Sequence, residues 1–295
     1  MRESHVQTWS SWPTLEAPRW RPVTLLSLLL VGGVIAGSWH IAEIDPVLLL
    51  GEEGRRHMWA FLMGLFPPDL SPAFLRLLVT PIVETVQISV MGTVLAILLG
   101  FPLALLATDR LRFAGVLYEM DGTTSRLRRV IRRAVYHGAR MVLNLCRAIP
   151  DVVWALMFVR VVGLGPFPGV LAIGVSYGGM LGKIYAEILE SSPEGPIEAL
   201  HAAGAGKLAI LTYGFLPQVF ANLVSYSLYR WECAIRSAAI LGLVGAGGLG
   251  QQIELSMRMF QYHETSTILI VVFVLVTGVD HLSTMIRRTL QGAEG

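Results

Sequence analysis

The segment that decides the fold of this chain is Glu198-Ala199-Leu200-His201-Ala202-Ala203-Gly204, followed after eleven residues by Leu216-Pro217. This stretch is polar and broken by glycine, and it separates two strongly apolar runs. Helical spacing places Ile197, Leu200 and Ala203 on one face of a short helix, which the closing glycine ends. A short helix that projects from a membrane in this way fits a groove in a partner protein.

The composition around this segment is that of a membrane protein. Of the 295 residues, 54% are hydrophobic and 15% are charged, and the mean hydropathy is +0.59, whereas soluble chains carry about 25% charged residues. The two cysteines, Cys146 and Cys233, lie in or beside apolar runs and are interpreted as small buried hydrophobic residues. No Cys or His spacing predicts a metal site.

Six apolar runs are long enough to cross a bilayer as helices, for which about 20 residues are needed. The second run is predicted to open at Thr80-Pro81, and a turn rich in glycine and proline separates the third from the fourth. The sequence therefore predicts an all-α, polytopic membrane protein with about six transmembrane helices. The predicted spans are 23–41, 80–107, 141–163, 168–190, 217–242 and 266–286.

The N-terminal run is predicted to be a retained span, because a cleaved signal peptide has a shorter apolar core of about 7–15 residues. Lys and Arg set the orientation, since cytoplasmic loops carry an excess of them. The largest basic group fills residues 110–140, where Arg128 and Arg129 belong to a predicted helical face near anionic lipid headgroups. This distribution places both termini and residues 191–217 on the cytoplasmic side.

The connection 42–79 is then external. Within it, the apolar stretch Met58–Phe66 is short for a span. We interpret this stretch as a helix that lies at the membrane surface. A segment that re-enters the membrane remains the alternative.

The coupling loop of the permease subunits of binding-protein-dependent ABC importers has the pattern E-A-A, three residues, Gly, nine residues, I-x-L-P. The segment quoted above resembles that loop, with Leu200 in place of the second Ala and Gly214 in place of the Ile. Longer runs resemble the phosphonate importer permease in particular, and phosphite and hypophosphite importers share that subfamily. The resemblance covers about residues 80–290, and its runs are Arg147–Leu156, Gly163–Phe167, Gly178–Lys183, Tyr213–Gln218, Arg236–Gly242 and Gly245–Gly250.

This resemblance implies the MetI-like fold of type I importer permeases, in a bacterial inner membrane. It divides the chain into a cytoplasmic tail (1–22), a first transmembrane helix with an external loop (23–79), and a transmembrane domain (80–290) with the coupling loop 191–217. The implied partners are a second copy of the chain, two ABC ATPase subunits, an external solute-binding protein and membrane lipid, with no nucleic acid. The chain itself is expected to bind no cofactor, because ATP and Mg²⁺ belong to the ATPase.

The same resemblance assigns the coupling role to particular residues of the loop. Their side chains, or the backbone turn that they form, are expected to contact the ATPase. These residues are Glu198, Ala199, His201, Gly204, Leu216 and Pro217.

A glycine-rich run, Gly245-Ala246-Gly247-Gly248-Leu249-Gly250, matches G-x-G-x-x-G. That motif indicates dinucleotide binding only where it follows a strand and opens a helix, and here it follows an apolar helical run. We interpret the run as the outer end of the fifth span, where the chain turns and packs against a neighbour. A role in the outer gate is a hypothesis for Gly245, Gly247, Gly248 and Gly250.

Ionisable residues within spans are costly and mark functional sites by default. Spacing of i, i+4 predicts the ion pairs Arg147–Asp151 and Glu232–Arg236. Guanidinium groups suit the oxygens of phosphorus oxyanions, so Arg236 is either part of a translocation path or part of a structural pair. The candidates for the path are Arg236, Glu232, Arg160 and Lys183.

The sequence contains no Ser/His/Asp set, no paired acids with a defined cleft and no Walker-type phosphate loop. The prediction is therefore a transport subunit and not an enzyme, namely the permease of an ATP-driven phosphonate importer. A phosphite or hypophosphite importer, or one for another small solute such as methionine, remains open. A secondary transporter is the alternative from a different class, and it would not need the segment 198–217.

Overall fold

The computed structural model describes residues 22–43, 50–109 and 126–292, and every regular element in these ranges is helical. The predicted all-α class is thus confirmed. Between the longer helices, Lys207–Ala209 forms one α-helical turn, Ile210–Phe215 a π-helical turn and Gly242–Val244 a 3-10 turn. The longer helices are α1 (Pro22–Ile41), α2 (Glu52–Gly64), α3 (Pro72–Ala107), α4 (Arg126–Ala148), α5 (Asp151–Val162), α6 (Pro166–Glu190), α7 (Gly195–Ala202), α8 (Leu216–Leu241), α9 (Gly248–Arg258) and α10 (Tyr262–Gly292).

The chain divides into two compact units, residues 1–60 and 61–295. In the first unit, α1 is apolar on all sides and none of its residues is buried, as expected for a helix surrounded by lipid. The helix predicted at 58–66 is observed, but it starts earlier, at Glu52. The acidic pair Glu52-Glu53 favours this start, because negative charge stabilises the first turn of a helix.

Four helices, α1, α3, α6 and α10, are individually long and apolar enough to cross a membrane. Two more candidate spans are bent pairs of helices, so the described residues contain up to six spans. The prediction of a continuous third span at 141–163 is wrong, because α4 and α5 meet at an angle of 89°. The break falls at Ile149-Pro150, since proline lacks a backbone N–H and disfavours helical geometry in the residue before it.

The predicted start of the second span at Thr80 is also wrong. Helix α3 begins at Pro72, where the Ser71 hydroxyl accepts a hydrogen bond from the Phe74 N–H at 3.3 Å. A serine cap followed by proline in the first turn is a strong helix start. Pro81 therefore lies inside the helix, and its carbonyl accepts a hydrogen bond from the Thr85 hydroxyl at 2.8 Å.

Helices α3 and α6 pack closely along a seam of glycines in the centre of the second unit. A Cβ on Gly100 of α3 would lie 2.8 Å from the Gly178 carbonyl oxygen of α6, and a Cβ on Gly182 would lie 2.9 Å from the Gly100 carbonyl oxygen. Small residues of this kind let two membrane helices approach to backbone contact. The seam fixes α6, and with it the start of the segment 191–217.

Candidate functional site

Helix α7 lies between α6 and α8 in the chain and carries three of the six predicted coupling residues, Glu198, Ala199 and His201. Its Ile197 is 3% exposed and Leu200 is half-buried, as their shared face predicts. Both side chains approach Gly214 of the π-helical turn, where a Cβ would lie 3.1 Å from Leu200 Cδ1 and 3.7 Å from Ile197 Cγ1. Glycine at position 214 thus allows α7 to pack directly on the turn that leads into α8. Ala203, the third residue of the predicted face, is exposed.

The C-terminus of α7 is closed by a Schellman motif. Gly204 has φ +78°, its N–H donates to the His201 carbonyl at 2.8 Å, and the Ala205 N–H donates to the Leu200 carbonyl at 3.0 Å. Glycine is favoured at this position because the left-handed region costs it no strain. No atom lies within 4 Å of a Cβ built on Gly204, so the requirement for glycine comes from the backbone alone.

The surface of this segment is largely open. Two large side chains that sequence reasoning missed, Leu208 and Tyr213, are 75% and 76% exposed. The available signal was the presence of two large side chains in a segment predicted to lie outside the membrane, between the spans 168–190 and 217–242. Leu216 is half-buried. The exposed predicted coupling residues are Glu198, Ala199, His201, Gly204 and Pro217.

The glycine-rich run forms a second tight turn at the other end of α8. Gly245 has φ +93°, its N–H donates to the Gly242 carbonyl at 3.0 Å, and the Ala246 N–H donates to the Leu241 carbonyl at 3.2 Å. The Gly245 carbonyl in turn accepts a hydrogen bond from the Gly165 N–H, at 3.0 Å, in the turn between α5 and α6. The run therefore joins the ends of three helices.

The N-terminus of α9 is held by two side chains of α3. The Gly248 N–H donates to Glu84 Oε2 at 2.9 Å, and the Leu249 N–H donates to Thr85 Oγ1 at 2.9 Å. A carboxylate is stabilised at a helix N-terminus by the free N–H groups and by the helix dipole. A Cβ on Gly248 would lie 2.6 Å from Thr85 Oγ1, so only glycine fits there. Sequence reasoning missed Glu84, which nothing in its local sequence links to residue 248.

The predicted ion pair Glu232–Arg236 is wrong. Glu232 of α8 is 7% exposed and pairs with Arg287 of α10. Arg236 instead approaches Asp280 of α10, with 3.8 Å between Nη1 and Oδ2. Helix α10 packs against α8, so each charge finds its partner across the helix interface and not along its own helix.

The predicted ion pair Arg147–Asp151 is wrong for a different reason. The two residues lie on opposite sides of the break at Pro150 and do not share a helix face. Arg147 Nε donates to Asn144 Oδ1 at 3.1 Å, and Asp151 accepts the Val152 N–H at 3.0 Å.

The two remaining path candidates lie apart from this interface. Lys183 of α6 is 3.4 Å from Glu187 and lines a polar cavity of about 300 Å³ together with Arg140 and Arg147. Arg160 is exposed near the end of α5. The structure therefore does not bring the four predicted path residues together into one site.

Comparison with known proteins gives the context of this arrangement. Residues 122–291 match the family described as "Binding-protein-dependent transport system inner membrane component". The chain belongs to this family.

Among its relatives, the putative phosphite transport system permease protein HtxC of Stutzerimonas stutzeri is 34% identical over 265 residues, which is 90% of this chain and 84% of HtxC. The putative cryptic phosphonate transport system permease protein PhnE2 of Escherichia coli (strain K12) is 42% identical over 118 residues, which is 40% of this chain and 97% of PhnE2.

The permease also has a close structural neighbour. An inward-facing conformation of the MetNI methionine ABC transporter matches with a TM-score of 0.61 at 24% identity, over 75% of this chain and 99% of that chain. At this identity the likeness shows the fold alone, and it confirms the predicted MetI-like fold. The family match, and not this structural likeness, identifies the permease as an inner-membrane component of a binding-protein-dependent transport system.

Proposed function

We propose that this permease is the membrane-spanning subunit of an ATP-driven importer of small phosphorus oxyanions, and that phosphonates are its substrates. The observation that carries the transport role is α7, which presents the exposed Glu198, Ala199 and His201 beside the glycine turn at Gly204. Such a short, capped helix suits a groove on an ATPase. The phosphorus chemistry is supported by the similarity to HtxC and PhnE2. Because the similarity to HtxC spans 90% of the chain, phosphite is the second candidate substrate.

A polar face formed by residues of α8 and α10 supports a second permease subunit as partner. Tyr229 is 43% exposed, and the side chains of Arg236 and Asp280 are 47% and 41% exposed, all within helices that span the membrane. Charged groups in spans do not face hydrocarbon, and they line water-filled cavities or protein interfaces. This face therefore borders a central path between two permease subunits, with a second copy of the chain as the partner that we favour.

In this proposal the energy comes from other chains. Two ATPase subunits bind ATP and Mg²⁺ and dock on α7, and an external solute-binding protein delivers the oxyanion. Both termini of the permease and the segment 191–217 lie on the cytoplasmic side, as the distribution of Lys and Arg indicates. Closure of the ATPase pair brings the two α7 helices together, and the path then opens toward the binding protein.

The decisive experiment is stimulation of ATP hydrolysis. The permease is reconstituted in nanodiscs with its cognate ATPase and binding protein, and hydrolysis is compared with 2-aminoethylphosphonate, phosphite, phosphate and methionine. We expect stimulation by 2-aminoethylphosphonate. If only phosphite stimulates hydrolysis, phosphite and not a phosphonate is the substrate. If the ATPase does not associate with the permease at all, the importer class is refuted.

Replacing Gly204 by valine tests the coupling role of α7. A β-branched residue at φ +78° is strained, so the Schellman turn opens and α7 changes its direction. Because no atom lies within 4 Å of the new Cβ, the transmembrane helices keep their packing. We expect ATP-driven uptake to fall at least about tenfold, which corresponds to a loss of 1.4 kcal/mol in docking.

The matched control for this variant is Gly195→Ala at the start of the same helix. Gly195 is also exposed, nothing lies within 4 Å of its Cβ position, and its φ is not positive. Uptake by Gly195→Ala should match that of the unchanged protein. Normal uptake by a well-folded Gly204→Val protein would remove α7 from the coupling mechanism.

A further inference from the structure

One arginine in the middle of α8 differs from the other charged residues of the spans. Arg230 lies about 20 Å along the helix from Pro217 and about 18 Å from Gly242, at 1.5 Å per residue. It is thus near the centre of an apolar layer about 30 Å thick. A charge at that depth is costly and is functional by default.

Arg230 has no carboxylate partner among the described residues, whereas its neighbours do. Arg236 is paired with Asp280, and Arg287 is paired with Glu232. Those two arginines are therefore compensated, and the charge of Arg230 is not.

The guanidinium of Arg230 is held in one orientation by a tyrosine. Its Nε and Nη2 donate to the Tyr226 hydroxyl at 3.0 and 2.8 Å. Both bonds use one edge of the planar group, so the Nη1–Nη2 edge keeps its N–H donors for another acceptor. Two parallel N–H groups are the geometry that binds two oxygens of a phosphorus oxyanion.

Aromatic rings surround this guanidinium. The centroids of Tyr226, Tyr177 and Tyr229 lie 5.3, 5.8 and 5.9 Å from its central carbon, within the range of cation–π attraction. The Tyr177 hydroxyl is itself fixed by a 2.8 Å hydrogen bond with Ser237. The rings partly stabilise the charge while they leave its free edge without an anion.

We propose that Arg230, held by Tyr226 and surrounded by the rings of Tyr177 and Tyr229, is the site in the permease that binds the transported phosphorus oxyanion during its passage. This inference rests on the proposed function and names the residue that the substrate contacts. A single guanidinium binds an anion weakly, which suits a site that must also release it. Arg236, in contrast, is compensated by Asp280, so we assign the binding of the anion to Arg230 and not to Arg236.

The test measures the amount of 2-aminoethylphosphonate taken up per ATP hydrolysed, in proteoliposomes that contain the complete importer and its loaded binding protein. For Arg230→Gln we expect this ratio to fall at least about tenfold, the effect of losing one charge-assisted hydrogen bond. Arg230→Lys keeps the charge but lacks the planar guanidinium, so the ratio for this variant should also fall by several-fold. The charge-matched control is Arg258→Gln, whose exposed side chain pairs with Glu254 in α9, and it should retain the ratio of the unchanged protein.

A purely structural role of Arg230 would lower uptake and hydrolysis together and leave the ratio unchanged, and that result would overturn the proposal. If Arg230→Gln does not assemble, Tyr226→Phe removes only the hydroxyl that orients the guanidinium, and an unchanged ratio for this variant would also overturn it. If the ratio of uptake to hydrolysis falls for Arg236→Gln but not for Arg230→Gln, the proposal is refuted, because the anion then binds Arg236. Failure of the proposed function is distinct, since the unchanged importer would then show no stimulation by any phosphorus oxyanion.

Discussion

Replacing Gly250 by valine is expected to leave no folded permease. A Cβ at this position would lie 2.0 Å from the Ala239 carbonyl oxygen and 2.9 Å from Gly242 Cα. These are backbone atoms of α8 and of the 3-10 turn that follows it, so the clash cannot be relieved by moving a side chain. We expect a loss of more than about 3 kcal/mol, the upper end for an overpacked core. Size-exclusion chromatography of the detergent-solubilised protein would show aggregate in place of a single peak.

The matched control is Gly278→Ala in α10. Gly278 is also helical, but nothing lies within 4 Å of its Cβ position. Alanine is favoured over glycine in a helix by about 1 kcal/mol, so this variant should melt at or above the temperature of the unchanged protein. If Gly250→Ala, the smallest possible change, melted normally, the close contact between α9 and the end of α8 would be refuted.

Replacing Glu232 by glutamine should destabilise the permease strongly, although the two side chains have nearly the same size. The Glu232 and Arg287 side chains are 10% and 25% exposed, so the variant leaves the Arg287 charge largely buried and uncompensated. Breaking such a pair costs about 3–5 kcal/mol. Thermal unfolding of the purified protein measures the loss, and the same change at Glu254, whose partner Arg258 is 78% exposed, should cost no more than about 1 kcal/mol.

The double variant Glu232→Gln with Arg287→Met tests whether Glu232 stabilises the permease by compensating the Arg287 charge or only by packing. Removal of both charges eliminates the uncompensated guanidinium, so the double variant should be more stable than Glu232→Gln alone. If the double variant is the less stable of the two, Arg287 does not depend on Glu232 for compensation.

The all-α class and most of the apolar spans could be predicted, because four of the spans are single continuous apolar helices. Helices α6 and α8 illustrate how well helix ends could be predicted, since Pro166 and Leu241 lie within two residues of the predicted boundaries at 168 and 242. Gly204 could be predicted as the end of α7, since a glycine after a short helical run is a local signal. Pro150 was a local signal for the break between α4 and α5, but the apolar residues on both sides of it favoured one uninterrupted span.

The ion pairs could not be predicted, because they depend on which helices become neighbours. Glu232 and Arg287 are separated by 55 positions, and local spacing favoured the nearer Arg236 instead. The cap of α9 by Glu84 bridges 164 positions. In both cases the free energy comes from satisfying a charge or a backbone N–H in an apolar environment, and tertiary packing alone determines which partner does so.

The hydrogen bonds around the glycine-rich run limit how the proposed outer gate can move. The run is fastened to α3 through Glu84 and Thr85, and to the α5–α6 turn through Gly165 and Gly245. Because hydrogen bonds hold it on two sides, we expect this corner of the protein to be rigid. It does not act as a hinge, although it is rich in glycine. In the proposed pair of permease subunits, we therefore expect this corner of each subunit to move as one rigid piece, so that the substrate path opens between the subunits and not within one of them.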